Sequence, residues 1–186
     1  FKNDSIMKKL LVLLFSILIT FNSYGEELKS LFGITLYDNA EKYVSSNYID
    51  SNKYRNLETI EGYFDLTITD KIKIKSPYAS YYKITIDKDN EVHDIYGREI
   101  IANLEICQEI AKNLVSQSEE KYQINFEYWE KTYPSFKKYQ HYYSTSSIDF
   151  GIQCRKSHES TSVRLQIFLN TALLNQAVDD FYNSGL

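Results

Sequence analysis

Histidine is the side chain in this sequence best suited to acid–base chemistry or metal binding, because its pKa lies close to neutral pH. The chain has three, His93, His141 and His158. No His-Glu-x-x-His or Cys-x-x-Cys motif accompanies them. The adjacent pairs His93-Asp94 and His158-Glu159 point their side chains to opposite faces if they lie in strands. The pattern favours exposed turn residues over a metal or catalytic site.

Motifs that hold a nucleophile or a phosphate group are missing from the sequence. There is neither a Gly-x-Ser-x-Gly elbow nor a glycine-rich phosphate loop. We therefore predict no catalytic residue, no metal and no cofactor, and we favour a binding protein over an enzyme. The alternative is a small hydrolase whose site is assembled from dispersed residues such as His141, Asp149 and His158.

The two cysteines, Cys107 and Cys154, are predicted to form a disulfide. Apolar residues recur at helical spacing around Cys107 and at alternate positions before Cys154, so one thiol should enter the core from a helix and the other from a strand. A bridge of this span stabilises by roughly 4 kcal/mol in the chain-entropy model. The alternative is two free buried thiols. A redox-active pair is not expected, since reactive dithiols are usually close in sequence and partly exposed.

Aromatic side chains are concentrated in residues 122–143, interspersed with Lys131, Lys137, Lys138 and His141. One interpretation is a recognition surface, because tyrosine and tryptophan offer large rigid contact areas with a polar tip. The other is that the rings cover the end of a small core and contact one another across strands. The residues predicted to bind a partner are Tyr128, Trp129, Tyr133, Phe136, Tyr139 and Tyr142.

The first 25 residues are typical of a secretory leader preceded by a short extension. Met7 is the only methionine, so residues 1–6 are interpreted as an upstream extension or a start-site artefact. After Met7 come Lys8 and Lys9, an apolar run of about 12 residues, and a small-x-small site near Gly25. A membrane-spanning helix needs roughly 20 apolar residues. We therefore predict a signal peptide at residues 7–25, cleaved near Gly25.

The remaining residues, 26–186, are predicted to form one domain in the periplasm or outside the cell. Loss of Lys2, Asp4, Lys8 and Lys9 with the leader changes the formal charge from -4 to -6. An acidic surface disfavours nucleic acid and anionic lipid, so membrane contact is expected only through the signal peptide. Aromatic residues make up 15% of the chain, enough apolar surface to argue against disorder.

The periodicity predicts helices alternating with groups of strands. Two helices are expected near residues 39–48 and 103–121, and a third begins at Asn170 or Thr171. Lys71, Lys73 and Lys75 alternate with isoleucines, which is typical of an exposed sheet edge. The strands are predicted near residues 63–69, 81–87, 91–96, 122–128, 146–155 and 162–169, with an aromatic loop between residues 128 and 146.

This order predicts an α+β fold in which helices pack on one side of antiparallel sheets. Each half can be written helix, strand, strand, strand, so an αβββ-αβββ pseudo-repeat with a C-terminal helix is a hypothesis. With Gly33-Ile34-Thr35 before a capped helix, the element order resembles the exported domains of the superfamily that contains the outer-membrane assembly lipoprotein and the beta-lactamase inhibitor protein. The sequence differs in having no anchor cysteine after the leader.

The function predicted from these features is a small exported protein that binds a partner without catalysis. The aromatic stretch and a sheet edge would make the contact, since exposed strands and rigid aromatic rings both suit protein recognition. The partner would be a protein, peptide or glycan of the cell envelope.

Overall fold

The computed structural model describes residues 28–55 and 60–183 of the chain. The predicted extension at residues 1–6 and the predicted signal peptide at residues 7–25 lie outside the described residues. Within the described ranges, no helix combines the length and the apolar character needed to cross a membrane.

The described part of the chain holds nine strands, one turn of 3₁₀ helix (Ala40–Lys42) and three α-helices. The helices are α1 (Ser46–Asn52), α2 (Leu104–Tyr122) and α3 (Ala172–Asn183). The strands are β1 (Ser30–Leu31), β2 (Ile34–Thr35), β3 (Tyr63–Thr67), β4 (Tyr81–Asp87), β5 (Val92–Ile101), β6 (Glu127–Thr132), β7 (Phe136–Ser144), β8 (Ile148–Ser157) and β9 (Val163–Thr171).

Seven strands form one antiparallel sheet in the order β3-β4-β5-β9-β8-β7-β6, and β1 and β2 pair separately. The predicted mixed α+β fold with an antiparallel sheet is confirmed. Neighbours in the sheet are also neighbours in sequence, except where β5 meets β9. That pairing joins Asp94 to Asn170 at one end and Ile101 to Val163 at the other. The sheet therefore consists of two meanders joined at a central seam.

One face of the sheet is apolar because alternate positions along the strands are isoleucine, leucine, valine, phenylalanine or cysteine. One cross-strand row runs from Leu66 through Ile84, Ile95 and Leu169 to Phe150, each at most 3% exposed. Helix α2 packs on this face with its buried stripe of Cys107, Ala111 and Val115. The N-terminal segment adds Ile34, Leu36, Ala40 and Ile49 to the same core.

A disulfide joins Cys107 of α2 to Cys154 of β8, with an S–S distance of 2.08 Å. The predicted bridge between helix and sheet is confirmed. Both cysteines are buried, at 0% and 1% exposed. The bond therefore fixes α2 to the apolar face of β8.

The opposite face of the sheet is polar, and α3 lies over one end of it. The Asn175 amide of α3 donates a hydrogen bond to Asp149 of β8, and Leu174, Val178 and Asp179 of α3 border the same space. Asp149 lies between Ile148 and Phe150, which are both in the core. In a strand its side chain is therefore on the other face of the sheet.

Two predictions about the N-terminal half were wrong. The helix expected at residues 39–48 is divided into the 3₁₀ turn and α1, because Ser45 begins a second helix by accepting a hydrogen bond from the Tyr48 amide. The strand expected around Lys71, Lys73 and Lys75 is irregular. Ile72 is buried there, whereas Ile74 is 62% exposed, so the isoleucines do not share one face.

The aromatic loop predicted before residue 146 was also wrong. It is the hairpin of β6 and β7, which turns at Tyr133, Pro134 and Ser135. In the segment predicted as a strand at residues 122–128, Tyr122 ends α2, residues 123–126 form an irregular connection, and only residues 127 and 128 belong to β6. Strands β8 and β9 and helix α2 lie within two or three residues of their predicted bounds.

Candidate ligand-binding site

A cavity of about 580 Å³ lies between the polar face of the sheet and α3. It crosses the seam between the two meanders, and its walls include Ile60 and α3 at one end. The sheet residues that line it are Asp65, Lys83, Thr85, Asp94, Tyr96, Trp129, Lys138, Gln140, Tyr142, Gln153, Phe168 and Asn170. A volume of several hundred cubic ångströms is the usual size of a small-ligand site.

The strand register arranges the residues of this face in rows that run across the sheet. The first row is Asp65, Thr85, Asp94, Asn170 and Asp149. The second is Lys83, Tyr96, Phe168, Gly151 and Tyr142. The third is Arg98, Gln166, Gln153, Gln140 and Trp129. An acidic row, an aromatic row and an amide row thus lie side by side.

Gly151 is required in the aromatic row because the Phe168 ring lies across β8 at that point. A Cβ atom at position 151 would collide with three atoms of the ring. Only glycine allows this close approach. The ring therefore covers the middle of β8 and forms part of the cavity floor.

Several buried oxygen atoms of this face have no hydrogen-bond partner among the described residues. They are Gln140 Oε1, Gln153 Oε1, Asn170 Oδ1 and Asp149 Oδ1. Gln140 is only 3% exposed and Asp149 only 5%. A buried polar group without a partner costs about 1–3 kcal/mol, so native proteins seldom leave one unpaired without a reason. All of these atoms are acceptors, so any group that satisfies them must donate hydrogen bonds.

Three charged residues form a buried cluster at the β3–β5 end of the cavity. Lys83 Nζ lies 2.7 Å from Asp65 Oδ2, and Asp65 Oδ1 accepts a 2.7 Å hydrogen bond from the Thr85 hydroxyl. Asp94 is 8% exposed. Burial alone would lower the pKa of Lys83, but attraction by Asp94 and Asp65 outweighs burial and raises it. Lys83 is therefore charged and offsets two buried carboxyl groups with a single positive charge.

Asp94 is the carboxyl group of this cluster whose pKa is raised. Burial is the main cause that raises the pKa of Asp94 from 3.8 to about 6, with a further increase from Asp65 and an opposing decrease from Lys83. A carboxyl group with this pKa is largely ionised at pH 7. It would gain from a second cation in the cavity, because Lys83 already contacts Asp65.

We expect Asp94→Asn to raise the free energy of unfolding at pH 7 by about 1–2 kcal/mol. The folded protein binds a proton at Asp94 more tightly than the unfolded chain, so wild-type stability falls as pH rises from about 4 to 6. Two pKa units correspond to about 3 kcal/mol, and loss of the attraction to Lys83 offsets part of the gain. Urea unfolding between pH 4 and 7.5 measures the difference.

Asp70→Asn, at an exposed aspartate, is the matched control for that experiment. It should leave the pH dependence of stability unchanged. If Asp94→Asn has the same pH profile as the wild type, Asp94 does not titrate near pH 6.

The structure distributes the predicted aromatic residues over both faces of the β6–β7 hairpin. Trp129 and Tyr142 line the cavity. Tyr133 and Phe136 stack at a centroid distance of 4.5 Å beyond its far end, where the Arg155 guanidinium lies 3.5 Å from the Phe136 ring.

Tyr128 and Tyr139 of the same hairpin lie on the α2 side of the sheet. Both rings border a small space beside Cys154 and Ala111. Tyr139 is packed against the core, whereas Tyr128 is 53% exposed. The six residues predicted to bind a partner therefore do not form one surface, because alternate positions of a strand point in opposite directions.

The surroundings of the cavity shift the pKa of two residues that line it, Tyr142 and Lys138. Burial raises the pKa of Tyr142, and Asp149 adds to the increase, so this hydroxyl stays protonated and is a hydrogen-bond donor at neutral pH. Burial and the neighbouring cations Arg155 and Lys131 lower the pKa of Lys138. Lys138 Nζ lies 4.5 Å from the centre of the Trp129 ring. A lysine therefore already occupies one face of Trp129.

The dispersed residues of the hydrolase alternative are not brought together. His141 lies on the α2 side beside Tyr128, at a centroid distance of 5.0 Å, and burial lowers its pKa. Asp149 is on the opposite face, and His158 follows the far end of β8, where its Nε2 is 3.0 Å from the Tyr133 carbonyl. Nine residues of extended strand separate Asp149 from His158 by roughly 30 Å.

His93 was expected to be an exposed turn residue, and this expectation was wrong. It is only 4% exposed, with Nδ1 placed 3.1 Å from Thr171 Oγ1. The register of β4 and β5 shifts between Thr85 and Ile86, which leaves His93 without a partner on β4. Such a bulge turns a side chain away from its regular direction.

The amide row was missed because its residues resemble an ordinary solvent-exposed strand face. One signal was available. The outward positions of β8 and β9 begin with Asp149, Gly151 and Gln153, and with Gln166, Phe168 and Asn170. An exposed face usually carries lysine, glutamate and threonine, so amides around a glycine–phenylalanine pair indicate a covered surface.

No protein family, curated protein or solved structure matches this chain. The assignment of the site therefore depends on the geometry described above.

Proposed function

We propose that this chain is an exported, non-enzymatic binding protein, and that the cavity on the polar face of its sheet is the binding site. A disulfide supports export, because such bonds persist mainly in oxidising compartments. The signal peptide predicted at residues 7–25 is consistent with it and stays a prediction. The proposal for the cavity is independent of the compartment.

The observation that carries the binding proposal is the group of unpartnered acceptors in the cavity. Gln140, Gln153 and Asn170 line the cavity, and each has a buried oxygen without a hydrogen-bond partner among the described residues. A ligand with N–H groups would recover the hydrogen bonds that folding leaves unmade. This also explains why the residues are amides, which accept hydrogen bonds without adding further negative charge beside Asp94 and Asp149.

The ligand class that best fits the cavity is an organic cation with several N–H donors, such as the lysine or arginine side chain of a peptide or protein. Asp94 supplies negative charge in the cavity, and the Tyr96, Tyr142 and Phe168 rings supply faces that attract cations. Lys83 contacts Asp65 directly and also attracts Asp94, so one positive charge serves two carboxylates and a further cation near Asp94 is favoured. Among the partners predicted from the sequence, this chemistry favours a protein or peptide over a glycan.

Trp129 provides a direct test, because it is the only tryptophan of the chain and lines the cavity. We expect hexalysine or hexaarginine to change its fluorescence, with a smaller effect below pH 6, where Asp94 takes up a proton. Hexaglutamate should have no effect. Gln140→Met should weaken binding about 5- to 10-fold by removing an acceptor while conserving net charge.

Gln176→Leu, on the exposed side of α3, is the control and should change the affinity less than twofold. If Gln140→Met and Gln176→Leu bind the cationic peptides equally, the attraction is a general effect of the acidic surface and the cavity is not the site.

Mass spectrometry of the exported protein tests the proposal that the chain is exported. A mature amino terminus near Glu26 is expected, whereas an intact leader contradicts export.

The hydrolase alternative gains no support from the separation of His141, Asp149 and His158.

Two finer features of the fold also stay proposals. We propose that α2 covers the apolar face while α3 leaves most of the polar face open to a ligand, which amends the expectation of helices on one side. The αβββ repeat remains a hypothesis, because the second half has four strands after its helix where the first has three.

A further inference from the structure

A second cluster of polar side chains lies at the hairpin between β4 and β5, on the other side of His93 from Thr171. Asp87, Glu91 and His93 each place one ligand atom within 4.8 Å of the others. They come from the end of β4, the turn and the bulge at the start of β5. This trio has no part in the cavity described above.

The imidazole of His93 is buried and aimed at the two carboxylates. Its Nε2 lies 3.4 Å from Asp87 Oδ2 and 3.6 Å from Glu91 Oε1. Charge-assisted hydrogen bonds are about 2.7–2.9 Å long, so neither distance is that of a well-made ion pair. Nε2 is therefore joined to the carboxylates only by a long, 3.4 Å hydrogen bond to Asp87 Oδ2, although His93 is only 4% exposed.

The two distances from Nε2 suit a shared metal ion, and the carboxylate oxygens lie within 4.8 Å of each other. Zinc binds imidazole nitrogen and carboxylate oxygen at about 2.0–2.2 Å, and the edges of such a tetrahedron measure about 3.3–3.6 Å. Thr171 Oγ1, 3.1 Å from Nδ1, holds the ring in place from behind, as the outer partners of metal-binding histidines do. Asp87 is also fixed, because its other oxygen accepts hydrogen bonds from the Asp89 and Glu91 amides.

We infer that Asp87, Glu91 and His93 form a site for a divalent transition-metal ion, with zinc as the best-fitting case. Water would complete the four ligands, since the Glu91 side chain is 43% exposed and leaves a path to solvent. Calcium and magnesium fit less well, because both prefer all-oxygen ligands. Thr171 also caps α3 by accepting a hydrogen bond from the Leu174 amide. Bound metal would thus brace the β4–β5 turn against the start of α3.

The inference is tested by titrating the untagged protein with zinc chloride in a calorimeter, since a histidine tag would itself bind zinc. We expect one equivalent to bind and millimolar magnesium not to compete. Cobalt should give the visible absorption of a tetrahedral ion. His93→Gln should abolish binding, and Glu91→Gln should weaken it at least tenfold. Asp89→Asn, at an exposed acid in the same turn, should weaken it less than twofold.

Glu91→Gln keeps the test decisive if His93→Gln fails to fold, because a half-exposed side chain is replaced without disturbing the core. Absence of zinc binding to the wild type would overturn the inference. So would zinc binding that Glu91→Gln and Asp89→Asn reduce equally. Asp87, Glu91 and His93 would then form only a structural contact between a histidine and two carboxylates, and would not bind a metal ion. Neither result bears on the cavity and its cationic ligand.

Discussion

Replacing Cys107 and Cys154 together with alanine should lower the free energy of unfolding by about 4 kcal/mol. The cysteines are 47 residues apart, so the bond removes much of the freedom of the unfolded chain. Both are buried between α2 and β8, so loss of the sulfur atoms adds a small packing defect. For a domain of this size the melting temperature should fall by about 10 °C. Urea and thermal unfolding under non-reducing conditions measure both quantities.

The wild-type protein in reductant provides the control for the cysteine variant. Its stability should approach that of the double alanine variant, apart from the packing defect. Alkylation under non-reducing, denaturing conditions should find no free thiol in the wild type. Two alkylated cysteines, or a stability loss below about 1 kcal/mol, would mean that the bond contributes little in solution.

Lys83→Met should destabilise the protein by about 3 kcal/mol at pH 7. The substitution leaves Asp65 and Asp94, which are 3% and 8% exposed, buried without their counter-charge. Removing one member of a buried ion pair commonly costs about 3–5 kcal/mol, and the lower end fits a lysine that keeps some solvent contact. The loss should shrink as pH falls below 6, because protonation neutralises Asp94 first. Urea unfolding at pH 7 and pH 5 measures it.

Lys42→Met is the matched control, because the Lys42–Asp38 pair has the same 2.7 Å distance but lies at the surface. It should cost less than about 1 kcal/mol. Adding Asp94→Asn to Lys83→Met should restore part of the lost stability. Equal losses from Lys83→Met and Lys42→Met would show that burial does not govern the strength of these pairs.

The sequence predicted the elements whose two faces differ most in polarity. Strand β8 alternates Ile148, Phe150 and Ile152 with Asp149, Gly151 and Gln153. This alternation made it possible to infer which side chains face the core and that the cysteine of the strand is among them. The β6–β7 hairpin was missed for the opposite reason. Rings occur on both of its faces, with Trp129 toward the cavity and Tyr128 toward α2, so no alternation of apolar and polar residues marks the strands.

The candidate site was much harder to infer than the fold. Gln140 and Gln153 become neighbours only through the register of β7 and β8, and the register of β9 places Asn170 two rows away on the same face. Their burial comes from α3 and from the rings around them, which is tertiary information. His93 illustrates the same limit, because a bulge and a hairpin turn bring it to Asp87 and Glu91 at a spacing that no motif contains.

The seam between β5 and β9 has a consequence for the order of folding. Each meander can form from strands that follow one another closely, whereas the seam needs Asp94 to find Asn170 across α2 and strands β6 to β8. Contacts between distant positions slow folding, because the intervening chain must be ordered before they form. Strand β9 is the last of the described strands to leave the ribosome or a translocation channel, so the central hydrogen bonds can close only after the other strands of the sheet have emerged. Until then, the edges of β5 and β8 are exposed to pairing with other chains.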